Sequence, residues 1–155
     1  AGDPMGRGGL SGPGSLYVHA DRPLISENGT STFLHELVHV AMGVAGSDHD
    51  DWLVEGLAEY YALEALFRSG TISQKRYESA QQQQKTWAKQ ADKLPRHNSR
   101  GAQTALAVTV LMEINALLQD GSNQQELDDL FEPLEGKELT LASLMAATQN
   151  LNDQP

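Results

Sequence analysis

His35-Glu36-Leu37-Val38-His39, answered downstream by Trp52-Leu53-Val54-Glu55-Gly56-Leu57-Ala58-Glu59, is the stretch whose reading decides the fold. Residues four apart in an α-helix stand one above the other on one face, so His35 and His39 aim two imidazoles at one point with Glu36 beside them. A catalytic zinc site uses three protein ligands and leaves one position open, so this pattern supplies two ligands and a base and still lacks a third ligand. One known spacing puts that ligand six residues beyond the second His, which here is Ala45, a residue with nothing to donate. Sixteen residues beyond His39, Glu55 opens a second helical pattern, and Glu59 follows one turn later on the same face. Glu55 suits the third ligand position. Glu59 suits a carboxylate that accepts the free ring N–H of a ligating His and so fixes its tautomer. The cofactor expected from this set is one Zn²⁺ per chain.

Outward from that pair of helices, the chain predicts a mainly α domain of the α+β type, with a short β segment at its N-terminal side and about six helices. Residues 1–15 carry Gly or Pro at nearly every other position, which disfavours helix and central strand, and this segment is expected to be loose or to lie extended along something. Leu16-Tyr17-Val18-His19-Ala20 reads as a short strand, which Pro23-Leu24-Ile25 can continue after a bend. The His19 side chain can face either side of it. Asn28-Gly29-Thr30-Ser31 is turn and N-cap chemistry ahead of a helix over about 31–44, whose second face of Leu34, Leu37, Val38 and Ala41 is assigned to the core. Gly43 and Gly46 mark its end, and Asp50 and Asp51 are expected to cap the next helix, over about 50–69. Leu53, Val54, Leu57, Ala58, Tyr61, Leu66 and Phe67 make that helix central. Tyr60 and Tyr61 are read either as core-filling rings with hydrogen-bonded hydroxyls or as donors to the site. A third helix over about 73–92 carries the glutamine run 81–84 as a solvated face, and Pro95 follows it. An apolar fourth helix over about 101–119 and two shorter ones over 124–131 and 141–149 complete the chain, with Thr140 as a cap.

Composition narrows the function. At 155 residues the chain is read as a loose N-terminal segment, 1–15, followed by one domain, 16–155. Ala1-Gly2-Asp3-Pro4-Met5 resembles the scar of a removed tag, so a native leader or upstream domain is expected to be missing. With no cysteine there is neither a disulfide framework nor a thiolate metal site, and periplasmic, secreted and cytoplasmic locations fit equally. A net charge of −10 argues against a nucleic-acid partner. No uninterrupted apolar run reaches the roughly 18 residues that read as a membrane span.

Over residues 33–62 the sequence resembles the gluzincin metallopeptidases, most of all the catalytic helices of aminopeptidase N-like and glycyl aminopeptidase-like enzymes. The resemblance implies that His35, His39 and Glu55 are metal ligands and Glu36 the general base. It also implies that the strand before the first helix is a sheet edge on which peptide is laid. The implied activity is hydrolysis of peptide bonds by Glu-assisted attack of a zinc-bound water, with a peptide or protein as substrate. Such relatives commonly place a Tyr three residues before a glycine equivalent to Gly101, and here that position is Asn98. Thermolysin-like relatives use a histidine to stabilise the oxyanion, which makes His97 the first candidate for the role, with Tyr60 and Tyr61 as the others. The competing expectation is a degenerate member of the same fold, a peptide- or protein-binding module supported by the absent Tyr, the small size and the thin β-part.

Overall fold

A computed structural model of the protein describes residues 9–12, 14–21, 23–43, 50–91, 101–121, 125–130 and 138–152. The order is β1 (Gly9–Gly12), β2 (Ser15–Val18), α1 (Thr32–Met42), α2 (Asp51–Arg68), α3 (Gln74–Ala88), α4 (Ala102–Asp120), a 3₁₀ turn (Leu127–Leu130) and α5 (Leu141–Asn152). The mainly α architecture with a short N-terminal sheet is therefore the one expected. By compactness the chain divides into two units, Ala1–Gly43 with Ala58–Gln83, and Val44–Leu57 with Gln84–Pro155. The continuous helix α2 contributes to both.

In the first unit the Gly-rich segment is not loose where it is described. Gly9–Gly12 pairs antiparallel with Ser15–Val18 in the register Gly9↔Val18 to Gly12↔Ser15, and Gly14 in the connection takes φ 65°, a conformation that glycine adopts without strain. The described part is extended along another element, the second of the two expectations, because two short edge strands need only backbone pairing and one helix to lie against, and the hairpin packs on α1. Pro23-Leu24-Ile25 forms no strand among the described residues.

Helix α1 begins where its cap predicts, with Ser31 Oγ accepting from Leu34 N at 3.2 Å, and stops at Gly43, which is left-handed at φ 57°. Its buried face differs from the expected one. Leu37 is 39% exposed and Ala41 is exposed, whereas Glu36 is buried. Leu34 and Val38 are half-buried, as are His35 and His39, and the one buried position is polar because Glu36 meets β1, while His35 beside it meets Glu59 on the second half of α2.

That half of α2 is apolar and enclosed, with Ala58, Tyr60, Ala62, Leu63 and Leu66 buried. Glu64 is buried with them and is held twice: Arg68 Nε donates to its Oε2 at 2.9 Å, and the Tyr77 hydroxyl donates to its Oε1. Burial first, then the bond to Glu64 and the charge of that carboxylate, push the Tyr77 phenol far above its ordinary value, so it stays a proton donor. Phe67 stacks on Tyr77 with centroids 4.3 Å apart. On α3, Gln82 and Gln83 are solvated as expected. Gln84 is buried instead, because it lies at i+4 from Ala80 and i−4 from Ala88 on the helix's inward stripe.

The second unit is built on α4, where Ala105, Ala107, Val108, Leu111 and Leu118 are buried. Ala102–Asp120 is also, by length and composition alone, the one described helix apolar enough to cross a membrane, a test that a core helix passes equally. The first turns of α2 pack on it through Gly56: a Cβ there would lie 2.6 Å from Ala107 Cβ and 3.5 Å from Leu111 Cδ1. Gly56→Ala should therefore cost up to about 3 kcal/mol through overpacking. That outweighs the roughly 1 kcal/mol that alanine gains in helix propensity. The expected result is a melting temperature lower by a few degrees, and an unchanged or higher value would show that the two helices separate freely.

Of the helix expected over 124–131, the described residues hold a single 3₁₀ turn, Leu127–Leu130. Side chains satisfy the backbone donors at its start, with Asn115 Oδ1 accepting from Leu127 N at 2.7 Å and Asp129 Oδ2 from Glu126 N at 2.8 Å. Leu127 and Leu130, three apart, are buried on one side of it. Thr140 and Ser143 cap α5 reciprocally: Ser143 N donates to Thr140 Oγ1 at 3.0 Å and Thr140 N to Ser143 Oγ at 2.9 Å. Asp50 Oδ2 accepts from Leu141 N at 3.3 Å, tying the start of α2 to the start of α5.

Candidate metal centre

Two helices carry the site. On α1 the i, i+4 spacing brings His35 Nε2 and His39 Nε2 to 3.1 Å, with ring planes 78° apart. Two donors bound to one tetrahedral zinc at about 2.0–2.1 Å stand roughly 3.4 Å from each other, so these nitrogens already hold nearly that separation. On α2, Glu59 reaches the far side of the first ring, with His35 Nδ1 3.2 Å from Glu59 Oε2. With the Nδ1 proton directed to that carboxylate, Nε2 of His35 keeps its lone pair. Both partners are mostly enclosed, at 15% and 16% side-chain exposure, so the contact is better shielded from solvent than a surface ion pair.

Glu55 precedes Glu59 by one turn on the same face of α2. One ligand atom from each of His35, His39 and Glu55 lies within 4.8 Å of the others, and these three residues could hold a metal ion. The donor set, two imidazole nitrogens and one carboxylate with an outer carboxylate on a ring N–H, matches the chemistry that zinc accepts. Glu36 is buried on α1, next to His35 in sequence.

Tyr60 is 3% exposed and meets Tyr61 edge-to-face at 5.0 Å. At 100° per residue these two side chains leave α2 roughly 140° and 120° away from Glu55, which makes Tyr60 a core ring. His97, Asn98 and Gly46 lie outside the described residues. His19 stands on the hairpin with its ring 5.4 Å from that of Tyr17. Sequence reasoning missed Gly9, which lies against Glu36. The only signal for that approach was the Pro13-Gly14 pair, a turn dipeptide between two short segments able to pair.

Glu59→Ala is expected to weaken metal binding by about 10–100-fold, the usual effect of losing the carboxylate behind a ligating histidine. Titration of zinc against a competing chelator measures it, and unchanged affinity would remove Glu59 from the site.

Comparison with protein-family models, with curated proteins and with solved structures finds no match for the chain.

Proposed function

We propose that this protein is a zinc-dependent peptidase of the gluzincin type, in which His35, His39 and Glu55 hold the metal and Glu36 is the general base. The observation that supports it is the convergence of the two Nε2 atoms and the Glu55 carboxylate while Glu59 holds the opposite nitrogen of His35. When bound, zinc supplies Lewis acidity, polarising a carbonyl oxygen and making water acidic enough to lose a proton near neutral pH.

This chain's own residues do the rest. Glu36 takes the proton of the attacking water as its oxygen adds to the carbonyl carbon, then returns that proton to the leaving nitrogen as the C–N bond breaks. Burial of Glu36 beside the ligands keeps its carboxylate out of bulk water, where proton transfer to solvent would compete. Glu59 keeps the His35 ring in one orientation through the cycle.

The test is a mixed peptide library incubated with metal-loaded protein. Cleavage that requires both zinc and Glu36 supports the peptidase, and the cleavage positions report whether it attacks chain ends or interiors. Zinc binding at about one ion per chain with no cleavage of any peptide would replace the peptidase with the binding module.

A further inference from the structure

Strand β1 runs directly against the side chain of Glu36. A Cβ built on Gly9 would lie 2.5 Å from Glu36 Cγ, 3.0 Å from Cδ and 2.9 Å from Oε1, against about 3.5–4.0 Å for an ordinary carbon contact. The near-contact therefore follows the side chain from its methylene to one carboxylate oxygen. Gly9 is not among the glycines with positive φ, so its backbone makes no demand for glycine and only the space does. Nor is the strand free to back away, since Gly9 is paired with Val18 and the hairpin rests on α1.

We propose that Gly9 is the positioning residue for Glu36: by presenting bare backbone it lets β1 close over the side chain and restrict a carboxylate that three rotatable bonds would otherwise leave mobile. This rests on the reading of Glu36 as the base. A side chain at position 9 either displaces the Glu36 carboxylate or lifts β1 and releases it from restraint, and a misplacement of about 1 Å is able to cost on the order of 100-fold in rate. The three atoms nearest the added methyl all belong to Glu36 and none to His35, His39 or Glu55, so metal binding is expected to be preserved.

Gly9→Ala, alone and combined with Glu36→Ala, tests this. The single variant should keep one zinc per chain and lose about 100-fold in kcat with KM changed by less than about threefold. Its melting temperature should fall by about 5 °C. In the Glu36→Ala background the same substitution should cost less than about 1 °C, because the three atoms nearest the new methyl have been removed. A Gly9→Ala protein that folds only in that background supports the proposal in the same way. Equal losses of melting temperature in both backgrounds, failure to fold in both, or a rate loss carried by KM would overturn it. A wild-type protein that cleaves no peptide would defeat the peptidase reading, and the melting comparison would still decide whether Gly9 positions Glu36.

Discussion

Glu36→Gln is expected to lower peptide cleavage by about 10²–10⁴-fold while the protein keeps its zinc. The amide has nearly the shape of the carboxylate, so it fits the space under β1 where Glu36 is buried and leaves His35, His39 and Glu55 undisturbed. What it lacks is basicity, and with it any means of taking the proton of the attacking water. Turnover measured beside metal content separates the two roles a residue at this position can have. A loss of zinc in Glu36→Gln would make Glu36 a ligand, and undiminished cleavage would require a different base.

His35→Ala is expected to abolish stoichiometric zinc binding. The substitution removes one of the three proposed ligands and also the ring nitrogen that Glu59 Oε2 meets at 3.2 Å. A ligand that binds only the folded state stabilises it by about 2.7 kcal/mol at a hundredfold excess over its dissociation constant. For a chain of this size that raises the melting temperature by about 5–10 °C. Wild-type protein should show that rise on adding zinc, and His35→Ala should not. A zinc-dependent rise that survives in His35→Ala would place the ion elsewhere and dismiss the proposed centre.

The parts of this arrangement that were legible in the sequence are those written within one element. Positions four apart fall on one helix face whatever surrounds it, so the pairing of His35 with His39 and of Glu55 with Glu59 followed from spacing alone. Ser31 and Gly43 bound α1 for equally local reasons, one by a side-chain oxygen and the other by a left-handed backbone. What depends on the partner of an element was not legible. Nothing near Leu37 says that it faces outward, because the choice belongs to α2 and β1, which meet the His35–Glu36 side of the helix instead. Glycine at position 9 reads locally as a weakness in a strand and becomes necessary only through Glu36, a residue on another element. Gln84 is polar by type and buried by its place between Ala80 and Ala88.

The close approach of Gly56 to Ala107 also bears on the order in which the molecule can be assembled. The turn of α2 that bears Glu55 leans on a helix made some fifty residues later, so a nascent chain ending before α4 has His35, His39 and Glu55 in its sequence but no buttress for the last of them. Synthesis from the N-terminus at about 5–20 residues per second then separates translation of Glu55 from arrival of its support by several seconds. During that interval the turn carrying Glu55 lacks the helix it packs on, and any metal site that uses Glu55 is left without that support.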